Sequence, residues 1–251
     1  MGKKWCLLLL LCCLPVKAKT YVIGVEDVPY YPLYDFRNGK VSYTSELLNE
    51  FARQYNFDIQ FMPVPIKRFS RWLIEEQIDF KYPDNVRWNN KLIIDDKRVN
   101  TDNFIYSDST IKLVAGTITP VEKPINPNDF KVLGTLLGFH PTQWIKQIEN
   151  KRVTLYESSS TLVLLQQVLR GQIDGLDIEP SVANHHLKLL GKPGALAINK
   201  NFTYEVYDYY LSTIKHKDVI EQFNQFLKEN RSFLEMLREK YEIIDHRPYE
   251  K

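Results

Sequence analysis

Beyond residue 13 the chain has no cysteine; Cys6, Cys12 and Cys13 are the only three among 251 residues. Everything downstream therefore lacks disulfides, thiolate zinc sites and a cysteine nucleophile. Long apolar runs are equally scarce. The run from Trp5 to Leu14 is too short to cross a bilayer with ease, and no later run approaches the length of a span. Catalytic signatures are missing as well: there is no GxSxG, no phosphate-binding P-loop, no GxGxxG and no HExxH. Neither an internal repeat nor a low-complexity linker is present.

The cysteines lie in "MGKKWCLLLLLCCLPVKA", which has two lysines, an apolar run and Val16-Lys17-Ala18 in the layout of a secretory signal peptide. Residues 1–18 are read as that signal, with cleavage after Ala18, a mature start at Lys19 and a periplasmic destination. Lipid modification at Cys12 or Cys13 is the weaker alternative, because the residue before the modified cysteine should be small and Leu11 is not. The signal removes three lysines from a total of 33 basic residues, leaving 30 against 31 acidic ones. A near-neutral chain offers no electrostatic ground for nucleic acid. Some 44% hydrophobic residues suffice for one large domain or two smaller lobes.

What is present is alternation of strands and amphipathic helices. "TYVIGVE" (20–26) suits a strand buried on both faces. A helix over 43–56 follows, with Leu47, Leu48, Phe51 and Tyr55 at helical spacing and Thr44 or Ser45 as its cap. Strands at 57–64 and 78–83 flank a helix at 67–77. The βαβαβ order predicts a parallel, doubly wound α/β sheet. A long extended stretch (104–118) leads to a second series. Strands are predicted at 130–136, 153–157 and 173–179, and helices at 142–150, 160–171 and 180–190. A further extended stretch (204–214) and helices at 218–229 and 231–241 close the chain. Two α/β units joined by two extended crossings predict two lobes with a cleft, where ligands sit beyond the carboxyl ends of the strands.

One stretch is unusually acidic for a buried strand. "QVLRGQIDGLDIEPSVANHHL" (167–187) places Asp174, Asp177 and Glu179 around an apolar core. Asp177 and Glu179 are two residues apart and share a face of a strand, so both can meet one cation. The plainer alternative is that Asp174 caps a turn and Glu179 caps the helix that opens at Pro180. His185 and His186 are neighbours on a helix, point about 100° apart and are read as solvated.

In order and spacing the chain resembles the bacterial extracellular solute-binding proteins of family 3, the amino-acid-type periplasmic binding proteins of type 2 fold. The resemblance covers nearly all of the mature chain. It rests on "VIGVEDVPYYPLYDFRNGKVSYTSELLNEFARQ", "LIEEQIDF", "FIYSDS", "DFKVLGTLLG" and "LQQVLRGQIDGLDIEPSVA". It implies lobe 1 at 19–109 and 208–251, lobe 2 at 110–207, and doubly wound sheets joined by two crossing strands. It also implies a binder of a small polar, amino-acid-like molecule, expected as a monomer without cofactor that serves an inner-membrane permease or sensor.

The resemblance further implies that Glu179, with Asp177 beside it, accepts a cationic group of the ligand. An arginine of the first lobe would grip a ligand carboxylate. Arg87, Lys91 and Arg98 compete for that role, and none falls cleanly into place. Lys81, Asp84, Asn85 and Trp88 stand just past the third strand, and Tyr31 and Tyr34 belong to a cluster after the first, where the family places a ring against the ligand. "GFHPTQW" opens a helix at a position suited to an anion, with Phe139 and His140 where the family has small hydroxyl residues. Ser158, Ser159 and Ser160 precede a helix and read as caps. A dehydratase of a small hydroxylated acid on the same fold is the alternative to a binder. No additional domain is expected after Lys251.

Overall fold

In the computed structural model, residues 18–75, 77–88, 93–94, 97–98 and 103–250 are described; the signal segment, Lys91 and the side chain of Arg98 lie outside the described residues. The chain opens with β1 (Thr20–Glu26), α1 (Tyr43–Tyr55) and β2 (Asp58–Val64). A 3-10 turn (Ile66–Arg71) runs into the single turn of α2 (Trp72–Glu75). Next come β3 (Phe80–Asp84), a small hairpin of β4 (Ile93–Ile94) and β5 (Lys97–Arg98), and β6 (Ile105–Tyr106). The second series is β7 (Ile111–Gly116), β8 (Ile118–Pro120), β9 (Val132–Leu136), α3 (Ile145–Glu149), β10 (Thr154–Ser158), α4 (Thr161–Leu169), β11 (Gly175–Asp177) and α5 (Pro180–Leu189). β12 (Leu196–Ile198), β13 (Tyr204–Thr213), α6 (Lys217–Glu229) and α7 (Arg231–Lys240) complete it.

Two sheets result. The first has the order β2-β1-β3-β13-β6, with β1 parallel to β2 and β3; the second is β10-β9-β11-β8-β12, with β9 parallel to β10 and β11. They are joined by an antiparallel ribbon. The first half of β13 pairs with β7 from Tyr204↔Gly116 to Tyr209↔Ile111, and its end joins β3 and β6 in the first sheet. β7 continues past Thr117 into β8, which lies in the second sheet. This is a two-lobed α/β architecture with two crossing strands.

Local chemistry explains the elements. Helix α1 is capped by Ser42, whose backbone N–H donates to Ser45 Oγ at 2.8 Å in a reciprocal capping box, so the cap is Ser42 and not Thr44 or Ser45. Its apolar stripe buries Leu47, Leu48 and Phe51, and the Phe51 ring meets Phe223 at 4.7 Å and Phe226 at 5.4 Å on α6. In β11, a Cβ on Gly175 would lie 2.6 Å from the Ile118 carbonyl oxygen, so only glycine lets β8 approach this closely. β12 was not foreseen; the helix expected at 67–77 forms as the 3-10 stretch Ile66–Arg71 running into the α turn Trp72–Glu75, and the one expected at 142–150 shortens to five residues. The C-terminal tail after α7 reaches α5: Glu242 pairs with Lys188 at 2.5 Å, and Ile244 N–H donates to Ser181 Oγ at 2.9 Å.

Candidate functional site

The carboxyl ends of the parallel strands in the two sheets point at each other. β1, β2 and β3 end at Glu26, Val64 and Asp84; β9, β10 and β11 end at Leu136, Ser158 and Asp177. The cleft between them has two halves. One holds an open cavity of about 170 Å³, lined from the first lobe by Asp27, Arg37 and Lys67 and from the second by Leu136, Leu137 and Ser159. The other, at β3 and β11, holds Lys81, Asp84, Asp177 and Glu179 among several aromatic rings.

The first-lobe wall of the ionisable half is a buried polar chain. Tyr34 Oη donates to Glu26 Oε2, and Lys81 Nζ lies 3.0 Å from Asp84 Oδ1. Asp84 also accepts from Ser212 Oγ at 2.6 Å and from the Asn85 N–H at 2.8 Å. All of these groups are buried. Burial pushes Glu26 up to about 7 despite the Tyr34 hydrogen bond and nearby Lys81, and pushes Lys81 down to about 8 despite Asp84.

The second-lobe wall is acidic. Glu179 caps α5: Oε2 accepts from the Val182 N–H at 3.0 Å, and Oε1 accepts from Ser181 Oγ at 2.9 Å. Burial nonetheless raises it to about 7. Asp177 is raised to about 7 by burial and then by Glu205, and among the described residues no hydrogen bond or ion pair reaches its carboxylate. Four tyrosines stand between the walls. Tyr30 meets Tyr34 at 5.3 Å and Phe139 at 5.2 Å, and Tyr207 meets Tyr209 at 5.5 Å. The Glu179 N–H donates to Tyr30 Oη at 2.7 Å, a bond from the second lobe to the first. Burial and the surrounding acids and phenols raise Tyr30, Tyr207 and Tyr209 well above the usual phenol range.

The residues singled out from sequence divide. Tyr34, Lys81, Asp84 and Asn85 share one network. Trp88 stacks edge-on against Tyr209 at 5.7 Å, and Phe139 reaches Tyr30. Asp177 and Glu179 neighbour the same tyrosines. Tyr31 sits apart, with its ring 4.4 Å from His185 and under Lys40 Nζ at 3.4 Å, and His140 is exposed. Arg87 pairs with Glu205 at 2.6 Å. Asp174, expected to cap a turn, instead ties the approach to β11 to the start of β9, accepting from the Lys131 and Val132 N–H groups at 2.7 and 2.8 Å. The solvated reading of His185 and His186 is corrected: both are partly buried, and burial lowers His186 to about 4. Glu26, Tyr207, Tyr209 and Ser212 were not singled out from sequence, and Tyr30 only as a member of the aromatic cluster after the first strand. Of the four, only Glu26 carried a readable signal, as the acid ending the first parallel strand.

No family model matches the sequence, and no curated protein matches it. Solved structures do. An ancestral arginine-binding protein bound to arginine superposes with a TM-score of 0.68 at 18% identity, covering 88% of this chain and 97% of that one. This chain has the two-lobed fold of the periplasmic amino-acid-binding proteins. A Streptococcus pneumoniae substrate-binding protein of an ABC uptake transporter, with bound histidine, gives 0.65 at 16% identity over 88% of this chain and 92% of that one. An ancestral amino-acid-binding protein, a precursor of cyclohexadienyl dehydratase, gives 0.65 at 19% identity over 88% and 95%. No helix among the described residues is long and apolar enough to cross a membrane.

Proposed function

We propose that the chain is an exported solute-binding protein that closes its lobes on a small polar molecule, for delivery to a membrane permease or a sensor. The observation that carries this reading is that Glu26 from one lobe and Asp177 and Glu179 from the other act on one buried tyrosine cluster, at opposed carboxyl ends of parallel strands. Closure makes the Tyr30–Glu179 bond and shuts water out, which strengthens each polar contact inside. The arginine-bound and histidine-bound neighbours support an amino-acid-sized solute. In this reading residues 19–109 and 208–251 form lobe 1, residues 110–207 form lobe 2, and the protein acts in the periplasm as a monomer. A thermal-shift screen of amino acids, amines, organic acids and small peptides tests it, because a ligand that binds only the folded state raises Tm. A screen in which no small solute raises Tm overturns it.

The dehydratase precursor among the neighbours, together with Glu26, Asp177 and Glu179 all near 7, supports a second reading in which these carboxyls carry acid–base chemistry on a small hydroxylated acid. Turnover of such acids with loss of water would favour it over simple binding.

A further inference from the structure

A solute with both an amine and a carboxylate needs a donor set for the carboxylate, and in the half of the cleft at β3 and β11 the cations are already held by carboxylates or carbonyls. Lys81, the buried cation of the first-lobe wall, is held by Asp84 at 3.0 Å with Glu26 nearby. Arg87 is held by Glu205 at 2.6 Å. Arg238, which acts on Glu179, donates to the Lys112 and Ile244 carbonyls. The loop after β9 is closed too: the Leu137 N–H donates to Ser158 O at 2.9 Å, the Gly138 N–H to Glu157 Oε1 at 3.1 Å and the Phe139 N–H to Leu136 O at 2.9 Å. Pro141 has no N–H, and α3 is a helix of five residues. A carboxylate already occupies the amide that would greet an anion.

Acceptors are in surplus. The Asp177 carboxylate has no hydrogen-bond or ion-pair partner among the described residues, and Asp177, Glu179 and Glu26 surround one cluster of tyrosines, Tyr30, Tyr207 and Tyr209. Acid and aromatic faces together suit a cation, which gains from the ring quadrupole as well as from the charge. Resting on the binding-protein reading above, we infer that the solute is an organic cation without a carboxylate, an alkylamine or alkylguanidine, paired with Asp177 and walled by Tyr30, Tyr207 and Tyr209.

Calorimetry on the mature chain with matched pairs decides it: agmatine against arginine, and cadaverine against lysine. Each pair shares its side-chain cation and differs in the carboxylate. At least one decarboxylated partner should bind at least tenfold more tightly than its amino acid, and Asp177→Asn should weaken that binding at least tenfold with the unliganded Tm undiminished. Amino acids that bind as well as or better than the amines, for instance through Lys67 at the open cavity, overturn the inference and leave the binding-protein reading standing. Absence of binding by all four also overturns it; the thermal-shift screen then decides separately whether any other solute binds.

Discussion

The backbone N–H of Glu179, at the start of α5, donates to the hydroxyl of Tyr30, in the loop after β1, at 2.7 Å. The bond joins the two lobes. Tyr30→Phe leaves a buried N–H without an acceptor in the closed form only, since water serves it in the open form. Such a loss costs about 1–3 kcal/mol. Ligand affinity should therefore fall roughly 5- to 150-fold, while the unliganded Tm moves little. Calorimetry and thermal denaturation on the same variant check both halves.

Glu179 has two jobs that substitution can separate. Glu179→Gln keeps a side-chain oxygen for the Val182 N–H but removes the charge. It should retain most of the stability and bind a cationic solute more weakly. Glu179→Ala loses the cap too, at about 1 kcal/mol of stability. Equal ligand affinity in wild type and Glu179→Gln would make Glu179 a cap alone.

Lys81 is assigned a structural role, and the expected cost of removing it is large. Lys81→Met leaves Asp84 buried beside Glu26 without its cation, which costs about 3–5 kcal/mol. Urea denaturation measures it. A loss under about 1 kcal/mol would mean that Lys81 is not the counterion that holds Asp84.

Acidity should stabilise the unliganded cleft. Asp177 keeps its proton up to about 7 in the folded chain, against 3.8 for the free group. Between those values the folded state binds more protons than the unfolded one, so this group's contribution to stability falls as pH rises and is flat above about 7. Asp177→Asn removes the loss, so its Tm should exceed that of wild type at about pH 8 and match it near pH 4. Glu26 and Glu179 add slopes of the same sign. His186, lowered from 6.5 to about 4, contributes the opposite sign, with stability lost as pH falls through that window. The comparison with Asp177→Asn isolates the one group.

The elements were legible wherever one periodicity ran long enough. The strand at residues 20–26, the helix beginning near Tyr43 and the paired closing helices fall within a few residues of their expected limits. β12 was not, because three residues paired antiparallel to β8 carry too little pattern to read. The site was half legible. Asp84 and Asp177 announce themselves as charges that end strands, Lys81 as a charge inside one, and Glu179 as the acid before Pro180 that caps α5. Tyr207 and Tyr209 do not: in "YEVYDYYLST" they look like any alternating strand, and only the antiparallel pairing with β7 brings them to the cleft. Tyr30 was passed over for Tyr31 because nothing local says which ring of the pair crosses to the other lobe; the Glu179 N–H, 149 residues away, decides it.

The most direct test of a two-lobed binder is the distance between its lobes. Because residues 19–251 contain no cysteine, Lys228→Cys and Arg170→Cys, both at exposed positions, place one spin label on each lobe. Double electron–electron resonance should show a broad spread of distances without ligand, collapsing to one narrow distance when a solute from the thermal-shift screen is saturating. The same distribution with and without that solute would contradict closure and the function built on it.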